Sequence, residues 1–438
     1  MSELRVGAKY PALLPSRDVA ALRSGATTTI IAVLSLTMTA CGRPPQPSLD
    51  EMARRYVRLA VALGERDPDS LDFYAGPAGF VADLRRNPPA LPVITREADA
   101  LSAEVSRLAS VDPDRVKALV ADLAAVAARV DLLSGRRQPY DAESAAFFGV
   151  APEPIDERAL ARIRSQIADI VGRDGRLADR YSAFAARFTI PPDRLSTVMN
   201  AAVDECRSAT AAHLALPPGE GVRLAFVRDK PWGAFSRYLG GARSLIQINA
   251  DFRFTIDQAL QIACHEAYPG HHTRNTLTAS SLADDRRPET AVQLMFSRAA
   301  LTSEATAMLA VDVAFPPVER VRAERERLFP LAGLQSAGVE QHVAVERLLS
   351  DLQVVQAGVA RRYLDGDLEF ARAVSALEEQ ALVPHAEALI KYVNQYRSYV
   401  TTYTTGRSLA ASRQAVCAGS EPRDDARWRC FEHELLAR

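Results

Sequence analysis

His265-Glu266-Ala267-Tyr268-Pro269-Gly270-His271-His272 closes an apolar helical run that begins after Thr255, and three of the chain's seven histidines fall inside it. Catalytic zinc takes imidazole nitrogens and carboxylate oxygens from the protein and keeps one position open for water. His265 and Glu266 form the pair in which the first residue binds metal and the second faces that water. The usual second ligand position, four residues on, is Pro269. In a straight helix the residue six on points to the wrong face, and the residue seven on lies about 10 Å further along the axis. Pro269 interrupts the hydrogen-bond ladder and Gly270 tolerates unusual dihedrals, so the pair predicts a local break that returns His271 to the metal.

A third ligand is expected from a neighbouring helix. Residues 293–310 are strongly apolar, read as one helix, and contain Glu304 as their only acid. A carboxylate in such surroundings needs a cation. That cation is either the metal shared with His265 and His271, or Arg298 in the same segment.

Working outward, apolar residues recur at helical spacing through residues 49–216, as in Met52, Tyr56, Leu59 and Leu63, and again in Val116, Leu119, Val120 and Leu123. Long helices are predicted there, broken at Pro88-Pro89, around Pro152 and Pro154, and at Pro191-Pro192. Residues 222–227, 234–239 and 244–249 read as three short strands of a small antiparallel sheet. Ile246, Ile248 and Asn249 are read as its exposed edge, onto which an extended peptide adds as a further strand. Helix resumes at Thr255, an expected N-cap, and continues to about residue 405. The fold class is therefore mainly α, a large helical zincin-like domain with a small antiparallel sheet next to the metal-binding helix.

Arg17 and Arg23 precede an uncharged stretch, residues 24–40, which is too short to span a bilayer and reads as a targeting segment. It ends in Met38-Thr39-Ala40-Cys41-Gly42, which resembles the bacterial lipoprotein signal with Cys41 as the acylated residue. The expected organisation is a signal segment over 1–41, a Pro-rich spacer over 42–48, a helical region over 49–216, a catalytic region over 217–410 and a C-terminal tail over 411–438. Cys417 and Cys430 flank a polar stretch of that tail and are expected to form a disulfide in an oxidising compartment. Cys264, inside the apolar run, reads as a small buried hydrophobe. Lysine and arginine number 53 against 54 acids, with no long run of like charge, which argues against a nucleic-acid partner. Membrane association is expected through a lipid anchor alone, which places the protein in the cell envelope.

The run from His265 to His272 resembles the HE-x-x-PGHH signature of the bacterial domain of unknown function 885 family, grouped with the zinc-dependent gluzincin peptidases. Residues 304–310 resemble that family's EGWALYAE stretch, and Tyr403-Thr404-Thr405-Gly406 resembles its closing Y-x-x-G. The resemblance runs from about residue 49 to residue 406 and is dense only at the motifs. It implies Zn²⁺ on His265, His271 and Glu304, with Glu266 as general base in the hydrolysis of a peptide substrate. It further implies Tyr403 as donor to the developing oxyanion, although an aromatic packed in the core is an equal reading of that residue. His272 is read as a hydrogen-bonding support or as an alternative ligand. Ala305 and Thr306 stand where the family has Gly-Trp, Val311 replaces a second acid, and Arg397-Ser398-Tyr399 replaces Pro-Gly-Gln. These departures spare the ligands and fall on the substrate pocket. Two other functions fit the same residues: a non-enzymatic envelope lipoprotein that retains the fold, and a metal-dependent hydrolase of a non-peptide amide.

Overall fold

The computed structural model describes residues 47–152, 154–281, 287–419 and 424–436. The signal segment 1–41, Cys41 and the spacer up to residue 46 lie outside them. Ser48 starts helix α1 (Leu49–Arg66) through a capping box, accepting the Glu51 N–H while the Glu51 carboxylate takes the Ser48 N–H. Strand β1 (Leu71–Tyr74) follows, then α2 (Leu91–Ser106) and α3 (Pro113–Leu133). These helices close a first core around Tyr56, Leu63, Leu101, Leu119 and Leu123. Helices end before each of the three proline sites, because proline lacks the donor the ladder needs.

Helix α4 (Leu195–Ala211) leads into a sheet of β2 (Gly221–Val227), β3 (Ala234–Gly240) and β4 (Arg243–Asn249). The strands lie where the alternating pattern puts them, and the mainly helical class stands. Their order differs from a simple meander. β4 sits between the other two, antiparallel to β3 and parallel to β2. The expected substrate edge at Ile246, Ile248 and Asn249 is therefore corrected: both sides of β4 are paired and these three residues are buried. β4 buries its Ile246 and Ile248 side chains in the core, while the Asn249 amide ties down the preceding turn by donating to the Lys230 and Trp232 carbonyls at 2.8 and 3.1 Å. β3 is the edge strand on the other side.

Thr255 opens α5 (Ile256–Glu266) with a second capping box, to Gln258. Helix α6 (His271–Ser281), strand β5 (Val292–Leu294), paired antiparallel with β1, and helix α7 (Arg298–Ala314) come next. The single helix expected over 293–310 is thus shortened at its start. Residues 292–294 complete a two-stranded ladder, and Ser297 caps the helix that carries Glu304. Cys264 is corrected too, since it forms a disulfide with Cys206 that fastens α5 to α4. After α8 (Val339–Leu352) and α9 (Ala386–Tyr396), the chain ends in α10 (Thr405–Ala418) and α11 (Asp424–Leu436). The segment expected as a tail is helical, pinned by the Cys417–Cys430 disulfide, and buries Trp428, Phe431 and Leu435 against the main core. Among the described residues no helix is long and apolar enough to cross a membrane.

The first turn of α5 is held by a buried ionic network. Asp257 receives Arg320, with Nε at 2.7 Å, and Glu324 lies against the same carboxylate. Glu324 belongs to a π-helical turn, Glu324–Leu328. Burial, then the Asp257 charge, raise the Glu324 pKa well above the usual 4.5, so its carboxyl stays protonated and bridges to Asp257. As pH rises past about 4.5 the unfolded chain releases this proton while the folded one keeps it, so stability falls by up to about 1.4 kcal/mol per pH unit. Glu324→Gln keeps a donor toward Asp257 and cannot ionise. Urea denaturation at about pH 5 and about pH 8 should give a smaller loss of stability for Glu324→Gln than for wild type. Equal losses would contradict the buried neutral acid.

Candidate functional site

Helix α5 stops at Glu266, residues 267–270 form a turn containing a cis Tyr268–Pro269 bond, and α6 restarts at His271. The predicted break is present at the predicted residues. The Gly270 N–H donates to the Cys264 carbonyl at 3.0 Å, and the Gly270 carbonyl accepts from Arg274 N–H at 3.0 Å, so the turn is stitched to both helices. A β-carbon on Gly270 would stand 1.9 Å from the His265 carbonyl oxygen. Only glycine permits this approach.

The turn folds the second imidazole back over the first. His265 Nε2 and His271 Nε2 are 3.1 Å apart, and Glu304 Oε2, arriving from α7, is 3.2 Å from the former and 3.4 Å from the latter. Ligands of a tetrahedral zinc at about 2.0–2.2 Å sit roughly 3.3 Å from one another, so the three atoms have the spacing that one such ion requires. Glu304 Oε2 is buried and accepts no hydrogen bond, while Oε1 accepts from the Tyr399 hydroxyl at 2.8 Å. A buried carboxylate oxygen left facing two imidazole nitrogens fits a cation at that point. His271 Nδ1 is 3.2 Å from Ser303 Oγ, which turns Nε2 inward. Electrostatics agree with a demand for positive charge. Burial disfavours a charged His271, yet Glu304 lifts its pKa to about 9. Burial likewise opposes the Glu304 carboxylate, but His271 and His265 hold it well below the usual range.

Glu266 lines the same cavity, which measures about 50 Å³, together with Tyr403, Asp72 and Asn275. Burial raises the Glu266 pKa, against the pull of His265 and His271, and the Ser236 N–H of β3 donates to its carboxylate. Tyr403 keeps its phenolic proton, since burial and the charge of Glu304 raise its pKa well above 10, and its hydroxyl is 2.9 Å from that of Tyr392. Burial pushes Asp72 up to about 6.

His272 does not join the cluster. Its Nδ1 meets Ser244 Oγ at 2.8 Å and its Nε2 meets Glu220 Oε2 at 3.0 Å, so both nitrogens are engaged with the sheet. It anchors the turn from behind and is no longer available as an alternative ligand. Arg298, the alternative partner of Glu304, is exposed and stands beside Gly149. Among the described residues the one group able to hold a metal ion is His265, His271 and Glu304. Sequence reasoning missed Tyr399, Ser303, Asp72 and Asn275. Tyr399 had a trace, as an acceptor-binding side chain standing where the resembled pattern has glutamine; the others carried none.

No known family model and no curated protein matches the chain. Among solved structures, the crystal structure of a candidate lipoprotein from Colwellia psychrerythraea is similar at 15% identity, covering 90% of this chain and 77% of that one, with a TM-score of 0.47.

Proposed function

We propose that this protein is an exported zinc-dependent peptidase. The observation that carries the reading is the convergence of two imidazole nitrogens and a bare carboxylate oxygen, mutually 3.1–3.4 Å apart, in a cavity that also contains Glu266. Zinc bound there supplies a Lewis acid and brings the pKa of a water toward neutrality. The Glu266 carboxylate accepts the proton of the attacking water and later returns it to the leaving amine. Tyr403, which lines the cavity and shares a 2.9 Å hydroxyl–hydroxyl hydrogen bond with Tyr392, is the donor for the developing oxyanion. The edge strand β3, whose Ala234, Phe235 and Ser236 line the cavity, offers main-chain groups to an extended substrate. The cavity is far below the roughly 300–1,000 Å³ of drug-sized ligand clefts, which favours short substrates and also suits a small non-peptide amide as a second reading.

Export is supported by the two disulfides, which use all four cysteines after Cys41 and belong to an oxidising compartment. We further propose acylation at Cys41 and residence in the cell envelope.

The test is elemental analysis of the purified chain combined with hydrolysis of a peptide library before and after chelation. One zinc per chain and chelator-sensitive cleavage are expected; a zinc-loaded protein that cleaves nothing would remove the peptidase reading. Tyr399→Phe should leave the fold intact and weaken zinc binding by about 10- to 100-fold, since it frees Glu304 Oε1 and lets the ligand rotate. Competition with a chromophoric chelator measures this. Unchanged affinity would mean that Tyr399 does not orient Glu304.

A further inference from the structure

Two side chains of the metal cavity, Asp72 and Asn275, offer acceptor oxygens outside the candidate ligand set. Asp72, on β1, has its Oδ2 bound by the Gln293 amide at 2.6 Å. The positive charges that act on its carboxylate are those of His271 and Arg274. It stands outside the trio of candidate ligands, so it is not a fourth member of the metal site. Asn275, one turn beyond His271 on α6, is only 3% exposed, and its Oδ1 has no hydrogen-bond partner. Both residues line the same cavity as Glu266 and the three candidate ligands. A carboxylate and an orphaned amide oxygen in one cavity lining match a donor that carries both positive charge and several N–H groups.

We infer that Asp72 and Asn275 form an ammonium pocket that receives the free α-amino group of the substrate, so that the enzyme removes residues from the amino terminus. This inference rests on the peptidase reading above. An α-ammonium has three N–H donors on one atom, enough for Asp72 Oδ1, Asn275 Oδ1 and one more acceptor. Ser236 Oγ, likewise buried and unpartnered in the cavity wall, is a further acceptor of the same lining. An acylated amino terminus brings an oxygen where the pocket presents oxygens and loses the positive charge, so selectivity comes from repulsion as well as attraction.

The test uses the zinc-loaded full chain and calorimetric titration with three metal-binding ligands: alanine hydroxamate, N-acetylalanine hydroxamate and N-acetyllysine hydroxamate. Alanine hydroxamate should bind about 30-fold or more tightly than its acetylated form, the scale expected when a buried charge loses its partner. Asp72→Asn should bring the two within about threefold while both still bind, and Asn275→Ala should reduce the preference in the same direction. Equal binding of the first two ligands to wild type would overturn the inference, as would an undiminished preference in Asp72→Asn. If Asp72→Asn fails to fold, the wild-type series and Asn275→Ala decide. Tightest binding of N-acetyllysine hydroxamate would assign the pocket to a side-chain ammonium and overturn the α-amino assignment. Failure of all three to bind wild type would instead strike the zinc reading beneath it.

Discussion

Gly270→Ala should abolish stoichiometric zinc binding although it changes no ligand side chain. The added methyl would lie 1.9 Å from the His265 carbonyl oxygen and 2.5 Å from that of Cys264, both backbone atoms at the end of a helix that is capped, disulfide-linked and buried. A flexible side chain could swing aside; these carbonyls cannot. The turn must therefore open, and α6 moves with it, because Gly270 and Arg274 are joined by the first hydrogen bond of that helix. His271 is the next residue. A displacement of about 1 Å in a ligand nitrogen is several times the roughly 0.2 Å tolerance of zinc coordination distances, so two ligands would remain and affinity would collapse. Overpacking of this kind also costs about 1–3 kcal/mol, which a thermal melt of the metal-free protein would register. Elemental analysis after gel filtration measures the metal. A Gly270→Ala protein that retains one zinc per chain and melts with wild type would refute the account of the turn.

What the sequence made legible follows from distance along the chain. Thr255 and Gln258 are three residues apart, and the interval from His265 to His271 is six, so caps, the Pro-Gly break and the grouping of the histidines are all readable locally. The strands were likewise visible as alternation. Their order was not, because β2 joins β4 in parallel across an intervening strand, and nothing in the alternation of β4 says whether one or both of its sides are paired. The second ring of the site lies further out still. Tyr399 reaches Glu304 across 95 residues and Gln293 reaches Asp72 across 221. An aspartate within Leu71-Asp72-Phe73-Tyr74 belongs to no motif and no period, so its place in the cavity emerges only when β1 pairs with β5. Cys206 and Cys264 left one clue, an even count once Cys41 is set aside, and no spacing to say which cysteines join.

Glu266→Gln separates chemistry from architecture, and its expected effect on turnover is the largest of any single substitution. Glutamine has the shape of glutamate and a carbonyl oxygen that still accepts the Ser236 N–H, so the end of α5 and the strand β3 keep their relation. The imidazoles and Glu304 are untouched, and zinc content should equal that of wild type. The amide has no basic oxygen at working pH. Without a group to take the proton from the attacking water, kcat should fall by about 10²- to 10⁴-fold, the range attributed to a positioned general base, with little change in substrate binding. The pH profile carries an independent signature. Wild-type kcat/KM should decline as pH falls through the Glu266 pKa, because the carboxylate must be unprotonated to accept a proton, and the residual activity of Glu266→Gln should lack that acid limb. A variant that keeps its metal and its turnover would show that Glu266 is only a neighbour of the site. A variant that loses the metal as well would show instead that Glu266 holds the cluster together, and the division of labour between ligands and base would have to be redrawn.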